Sequence, residues 1–119
     1  MSDTQANFRQ ITQTVNSRLG AMRQDQPDVM KAFGELGRAA MVDGALSKKT
    51  KELIALALGV ASRCDPCIGF HAQALARLGA TRQEVQEMLS VCVYMGGGPS
   101  LMYTANALAA FDEFSPAQG

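Results

Sequence analysis

The sequence lacks an excess of charge of either sign, because eleven basic residues balance eleven acidic ones among 119 residues. Such a chain has no net field to attract a polyanion, which argues against a nucleic-acid-binding module or an anionic membrane surface. Long hydrophobic runs are also absent, and the longest, residues 53–61, is far too short to span a bilayer. The first ten residues contain no apolar stretch of the kind found in signal peptides. We therefore expect a cytoplasmic protein with neither membrane nor nucleic acid as a partner.

The sequence also lacks the alternating apolar and polar pattern of β-strands. Apolar residues instead recur at helical spacing, which predicts an all-α fold of about six helices in a single compact domain. The domain spans residues 1–119, with a core at about 28–112 and an extra N-terminal helix at about 4–24. The predicted helices cover residues 4–23, 27–43, 48–61, 65–78, 82–95 and 101–111. The third is apolar almost all round after Glu52, so we expect it to be central and buried.

Cysteine is scarce, and its odd count of three fits poorly with a disulfide-stapled secreted scaffold. In the cytoplasm a close pair of cysteines is more often catalytic or metal-binding. Cys64, Cys67 and His71, the only histidine, are spaced so that they share one helix face. A helix N-terminus or an imidazole can lower a thiol pKa, so this spacing provides an activated thiolate, a second sulfur and a base. The helix terminus by itself favours Cys64 as the thiolate, whereas a contact with His71 favours Cys67.

Two other interpretations fit the same residues. Cys64, Cys67, His71 and Glu52 are four potential zinc ligands, although structural zinc sites usually take two ligand pairs from separate turns. The chain is alternatively a non-catalytic oligomeric helical protein, because amphipathic helices leave apolar surface that favours self-association. Cys92 lies among apolar residues and is predicted to be a small core hydrophobe.

The stretch from Glu52 through Cys64-Asp65-Pro66-Cys67 to His71 resembles the E…C-x-x-C-x-x-x-H signature of alkylhydroperoxidase D-like proteins, within the carboxymuconolactone decarboxylase superfamily. The resemblance covers roughly residues 28–112. It implies an all-α fold with the C-x-x-C at a helix N-terminus, and assembly into homo-trimers or hexamers. The function that it implies is an oxidoreductase, either a thiol peroxidase or a disulfide reductase. Decarboxylation of a lactone is less favoured, because family members with that activity generally lack the cysteine pair.

The resemblance also implies a role for each site residue. Cys67 is the nucleophile that attacks a hydroperoxide, Cys64 is the resolving thiol, and Glu52 and His71 form a proton relay. No tightly bound cofactor is expected, and an external dithiol, a lipoyl group or a thioredoxin-like protein, supplies the electrons. Pro66 occupies a place where members of the family often carry a second histidine, which indicates a shorter relay and weaker peroxidase activity.

Overall fold

A computed structural model describes residues 7–115 of the chain. Seven helices lie in this part: α1 (Phe8–Arg18), α2 (Gly20–Asp25), α3 (Pro27–Ala40), α4 (Lys48–Ala61), α5 (Asp65–Arg77), α6 (Arg82–Gly96) and α7 (Gly98–Phe114). No strand occurs among these residues. The predicted all-α fold is therefore confirmed.

The ends of several helices follow directly from local sequence. Ser47 begins α4 because its side chain accepts a hydrogen bond from the N–H of Thr50. Thr81 and Glu84 form a capping box at the start of α6, each side chain bonding the backbone of the other. Gly79 ends α5 in a left-handed conformation, with φ of 79°, which glycine adopts without steric cost. These caps fix the lengths of the helices around the candidate site.

The N-terminal helix differs from the prediction of one continuous helix over residues 4–23. Residues 4–6 lie outside the described part of the chain, and the rest divides into α1 and α2 at Leu19. Gly20, a poor helix former, follows this break. The guanidinium of Arg23 donates to the backbone oxygen of Asn16 at 3.0 Å and so ties α2 to α1.

The hydrophobic core lies between α4, α5, α6 and α7, and α1 packs against α5 and α7. Phe8 of α1 is fully buried in this core. Both carboxylate oxygens of Glu113 accept hydrogen bonds from the free N–H groups of Phe8 and Arg9, at 2.9 and 3.1 Å. The acidic side chain near the end of α7 thus caps the start of α1 and joins the two ends of the described chain.

We expected α4 to be central and buried, but one of its faces is exposed. Leu56 and Val60 are in the core, whereas Ile54 is 46% and Leu58 62% exposed. The reason is that α5, α6 and α7 pack around α4 without closing over this face. Within residues 7–115, no helix combines the length and the apolar character needed to cross a membrane.

Candidate functional site

The cysteine pair begins at the tight turn between α4 and α5. The N–H of Arg63 donates to the oxygen of Val60, and that of Cys64 donates to the oxygen of Gly59, at 3.1 and 3.0 Å. This pattern is a Schellman motif, which requires a left-handed residue after the helix. Arg63 takes that conformation with φ of 56°, where glycine is usual. The turn delivers Cys64 directly from the end of α4 to the start of α5.

Cys64 is the N-cap residue of α5 and is joined to Cys67 by a disulfide, with their Cα atoms 5.3 Å apart. Its Sγ atom accepts a hydrogen bond from the N–H of Cys67 at 3.2 Å. Pro66 lies in the first turn, where its missing N–H has no partner to lose. Asp65 follows the cap, and its carboxylate accepts a hydrogen bond from the side-chain amide of Asn106 at 3.1 Å. The position of the C-x-x-C at a helix N-terminus is as predicted.

Gly59 allows α5 to approach α4 closely beside the disulfide. A Cβ atom added to Gly59 would lie 3.3 Å from the Cβ of Cys67 and 3.4 Å from the backbone nitrogen of Ile68. This spacing is tighter than an ordinary van der Waals contact. The first turn of α5 therefore rests directly on the backbone of α4.

Glu52 and His71 form a hydrogen-bonded pair across the same two helices. Nδ1 of His71 lies 2.7 Å from Oε1 of Glu52. The Glu52 side chain is only 8% exposed and that of His71 35%. The ammonium of Lys49, three residues before Glu52 on α4, contacts Glu84 of α6 at 2.8 Å instead of Glu52. A buried carboxylate thus has the imidazole as its partner, as buried charged groups require.

Cys67 and His71 line one small cleft of about 230 Å³, together with Ala55, Leu58, Gly59 and Ser62. Cys67 is solvent-exposed, whereas Cys64 is half-buried. The imidazole of His71 therefore contacts two different environments. Its Nδ1 atom faces the buried carboxylate of Glu52, and its ring borders the cleft in which Cys67 is exposed. All four residues selected from the sequence lie together at this junction of α4 and α5.

The structure also bears on the zinc interpretation and on the environment predicted for Cys92. In the described part of the chain, no three His, Cys, Asp or Glu side chains are arranged to hold a metal ion. Cys92 is half-buried against the hydrophobic core, and its thiol contacts Sδ of Met88 at 3.7 Å. Burial raises the pKa of the Cys92 thiol. Its predicted behaviour as a small hydrophobe agrees with this environment.

Sequence reasoning missed several residues that position the site. Arg63 gives no local signal, because a left-handed turn is normally marked by glycine or asparagine. Asn106 is 41 positions from Asp65, and only the packing of α7 against α5 brings the two side chains together. The detectable signal was Gly59, a glycine inside an apolar helix, which often marks a close backbone approach.

Comparison with known proteins shows the family to which the chain belongs. The family model for the carboxymuconolactone decarboxylase family matches residues 27–110. An uncharacterised protein of Cupriavidus necator is 46% identical over 98 residues, which cover 82% of this chain and 87% of the relative.

Two solved structures have the same fold. The apo form of a carboxymuconolactone decarboxylase family protein from Legionella pneumophila superposes with a TM-score of 0.89 at 56% identity, over 91% of this chain and 96% of that one. A family protein from Thermotoga maritima, with a suggested role in antioxidative response, has a TM-score of 0.72 at 27% identity, over 89% of this chain and 87% of that one. The family model and both solved structures agree, and the chain belongs to the carboxymuconolactone decarboxylase family.

Proposed function

We propose that the protein is a thiol-dependent peroxidase that reduces organic hydroperoxides through the Cys64–Cys67 pair. The observation that supports this most is one junction of α4 and α5 that contains both a disulfide and the hydrogen-bonded pair of His71 and Glu52. The suggested antioxidative role of the Thermotoga maritima relative points in the same direction. A disulfide reductase would use the same cysteine pair, with a disulfide in place of the hydroperoxide as the oxidised substrate.

In the reduced protein, His71 generates the thiolate of Cys67. A buried Glu52 carboxylate accepts the Nδ1–H of His71, which leaves Nε2 as the free basic nitrogen of the ring. That nitrogen accepts the proton of the Cys67 thiol in the cleft that both residues line. The carboxylate also stabilises the imidazolium that results.

The thiolate of Cys67 then attacks the terminal oxygen of the hydroperoxide. A sulfur–oxygen bond forms and the oxygen–oxygen bond breaks, so the sulfur becomes a sulfenic acid and the peroxide leaves as an alcohol. The leaving alkoxide takes the proton held by His71. The exposure of Cys67 allows the peroxide to reach it.

Cys64 resolves the sulfenic acid, since its sulfur lies at the N-terminus of α5 beside Cys67. The Cys64 thiol gives up its proton and its sulfur attacks the Cys67 sulfur. The disulfide forms, and the hydroxyl group of the sulfenic acid leaves with that proton as water. The N–H of Cys67, which bonds the Cys64 sulfur at 3.2 Å, stabilises negative charge on Cys64. The helix N-terminus thus favours a thiolate at Cys64, and the imidazole of His71 favours a thiolate at Cys67.

An external dithiol, a lipoyl group or a thioredoxin-like protein, returns the pair to the reduced state. Its thiolate attacks the exposed Cys67 sulfur, and Cys64 leaves as the thiolate that the helix N-terminus stabilises. A second attack within the donor releases Cys67 and oxidises the donor to a disulfide. Two electrons are transferred in each cycle, which balances the reduction of one hydroperoxide.

The first experiment titrates the reduced, metal-free protein with cumene hydroperoxide, counts free thiols, and maps disulfides by mass spectrometry. We expect two thiols to be lost per peroxide, a Cys64–Cys67 disulfide to form, and a dithiol to reverse it. Thiols that survive a stoichiometric excess of peroxide would disprove the peroxidase function.

The site assignment is tested by a matched pair of cysteine variants. Cys67→Ser should abolish peroxide turnover because it removes the attacking sulfur. Cys92→Ser should leave turnover nearly intact, because the Cys92 thiol is half-buried and its pKa is raised. Equal losses in a steady-state assay of both variants would contradict the assignment.

A further inference from the structure

The first residue of α5 places a negative charge beside the cysteine pair. Asp65 directly follows Cys64, the N-cap residue, and occupies the first position of the helix. Consecutive Cα atoms are about 3.8 Å apart, so the Asp65 carboxylate lies within roughly 10 Å of the Cys64 sulfur. Both residues are half-buried, so solvent screens the charge less than it would between two fully exposed residues.

A residue of another helix fixes the direction of this carboxylate. The side-chain amide of Asn106 on α7 donates a hydrogen bond to Oδ1 of Asp65 at 3.1 Å, across the packed helices α5 and α7. Asn106 is half-buried as well. An amide donates a hydrogen bond without carrying a net charge. Asn106 therefore orients the carboxylate of Asp65 and does not neutralise it.

The carboxylate of Asp65 also has no cation to offset its charge. None of the ion pairs within residues 7–115 includes Asp65. A negative charge near a thiol disfavours the thiolate, because the two charges repel. The disulfide carries no charge on either sulfur, so the carboxylate destabilises only the reduced state in which Cys64 is a thiolate.

Two features of the same helix start thus act on Cys64 in opposite directions. The N–H of Cys67 donates to the Cys64 sulfur at 3.2 Å and stabilises negative charge there, whereas the Asp65 carboxylate opposes that charge. Stabilising the reduced state of a dithiol raises the reduction potential of its disulfide, and destabilising it lowers the potential. The carboxylate therefore counteracts the oxidising effect of the helix N-terminus.

We propose that Asp65, oriented by Asn106, is a positioning residue that acts through Cys64 and lowers the reduction potential of the Cys64–Cys67 pair. Two unit charges at roughly 8 Å, in a medium between protein and water, interact strongly enough to change an equilibrium about tenfold. A lower potential makes the reduced pair a better donor of two electrons to an oxidised substrate. This role rests on the proposed function, because it requires the pair to cycle between dithiol and disulfide.

Asp65 also has a purely structural role that the test must separate from this one. An acidic residue in the first turn stabilises a helix through the helix dipole. Loss of that stabilisation would lower the Tm of the oxidised and the reduced protein alike. It would leave the equilibrium between dithiol and disulfide unchanged, so the reduction potential distinguishes the two roles.

The test measures the reduction potential of the full-length protein by equilibration with dithiothreitol buffers at pH 7. Dithiothreitol passes two electrons to the protein pair and becomes a cyclic disulfide, and the remaining protein disulfide is quantified by thiol alkylation and mass spectrometry. Asp65→Asn and Asp65→Ser should each favour the reduced pair by about tenfold, a potential about 30 mV higher than that of the wild type. Far-UV circular dichroism establishes that each variant is folded, and two neutral replacements keep the test valid if one does not fold.

Asn106→Ala tests how the charge is held. It should favour the reduced pair by about threefold, because the freed carboxylate turns toward solvent, where its charge is screened more strongly. The double variant of Asp65→Asn and Asn106→Ala should match Asp65→Asn alone, since Asn106 acts through the charge that it orients. Asp112→Asn is the matched control, because it removes the same charge from a residue of α7 that pairs with Arg82. Its potential should equal that of the wild type.

Three outcomes would overturn the proposal. Folded neutral variants of Asp65 with the wild-type potential would show that its charge does not act on the pair. An equal shift in Asp112→Asn would show that overall charge, and not the position of Asp65, sets the potential. Effects of Asp65→Asn and Asn106→Ala that add in the double variant would exclude the role of Asn106. The potential is an equilibrium property measured without peroxide, so failure here is distinct from survival of the thiols in cumene hydroperoxide, which would disprove the peroxidase function.

Discussion

Glu52 and His71 are the residues whose pairing has the largest chemical consequence. A carboxylate that is 8% exposed and lies 2.7 Å from Nδ1 can determine which nitrogen of the imidazole carries the proton. Glu52 does not line the cleft, so in the proposed mechanism it is a positioning residue that acts through His71. This division of roles leads to a prediction about pH.

His71→Ala should slow peroxide-driven disulfide formation at pH 7 by about 10²-fold, the usual contribution of a general base. Part of the rate should return as the pH rises toward the ordinary thiol pKa of about 8.5, because the thiolate then forms without a base. Glu52→Gln should give a smaller loss with a shifted pH profile. Stopped-flow measurement of thiol loss from pH 6 to 10 checks both.

Lys49→Gln is the control for this experiment, because it removes a charge from α4, the helix of Glu52, without changing a residue of the candidate site. Its pH profile should match that of the wild type. A His71→Ala profile that is parallel to the wild-type profile at all pH values would contradict the role of His71 as a base.

At the scale of elements, the turn between α4 and α5 is the feature that positions the cysteines. It is unusual because Arg63 occupies a left-handed position, which costs a residue with a side chain about 1–2 kcal/mol relative to glycine. The corresponding turn after α5 has Gly79 in that place. The helices α4 and α5 thus end in the same motif, with steric strain at Arg63 and without it at Gly79.

Arg63→Gly should therefore be neutral or stabilise the protein by up to about 1 kcal/mol, since relief of strain exceeds the greater freedom of glycine in the unfolded chain. Arg63→Val should destabilise it by about 1–2 kcal/mol, because a β-branched residue tolerates this backbone poorly. Chemical denaturation checks both values. Arg77→Gly in the last turn of α5 is the control, and it should lose about 0.5–1 kcal/mol because its backbone is helical.

At the start of α6, one carboxyl group, that of Glu84, accepts hydrogen bonds from two other residues. The ammonium of Lys49 and the capping-box N–H of Thr81 both bond Glu84 and hold the pKa of its carboxyl below the usual range. A carboxyl whose pKa is lower in the folded than in the unfolded chain adds stability above about pH 4.3, and loses it as the pH falls through the folded pKa.

Glu84→Gln should accordingly lower the Tm slightly at pH 7, and the difference from the wild type should disappear toward pH 3. Thermal unfolding followed by circular dichroism between pH 3 and 7 is the measurement. Glu87→Gln, on the exposed side of the same helix, should leave the Tm unchanged. A Glu84→Gln difference that stays constant with pH would show that its charge is not responsible.

At the scale of the whole molecule, the single chain is incompletely packed. The radius of gyration of its Cα atoms is 14.9 Å. A compact chain of this length has a radius of roughly 13.5 Å. The difference agrees with the exposure of α3, which has no buried residue and whose Val29, Phe33 and Leu36 are exposed. Stability should then depend on association.

The Tm of the wild type should rise with protein concentration, because association stabilises the folded chain by mass action. The Tm of Phe33→Asp should be lower and independent of concentration. Scanning calorimetry at concentrations that span about 100-fold provides the comparison. Lys31→Asp, which leaves the exposed apolar residues of α3 intact, should retain the concentration dependence, and its loss in that variant would mean that α3 responds to charge alone.

Local features of the sequence determined much of the fold. The caps at Ser47, Thr81 and Gly79 and the first-turn position of Pro66 each act over a few residues, so the sequence predicted the ends of α4, α5 and α6 well. The C-x-x-C at a helix N-terminus followed from the same local rules. The residues of the candidate site were also identifiable, since Cys64, Cys67 and His71 lie within two turns of one helix.

Only the tertiary structure decided how distant parts meet. Glu52 pairs with His71 and not with a nearby lysine because α5 packs closely on α4 at Gly59. The exposed faces of α3 and α4 could not be predicted, because periodicity shows that a helix has an apolar side but not what covers it. Sequence determines which residues must be buried or capped within a helix, whereas the packing of helices determines their partners.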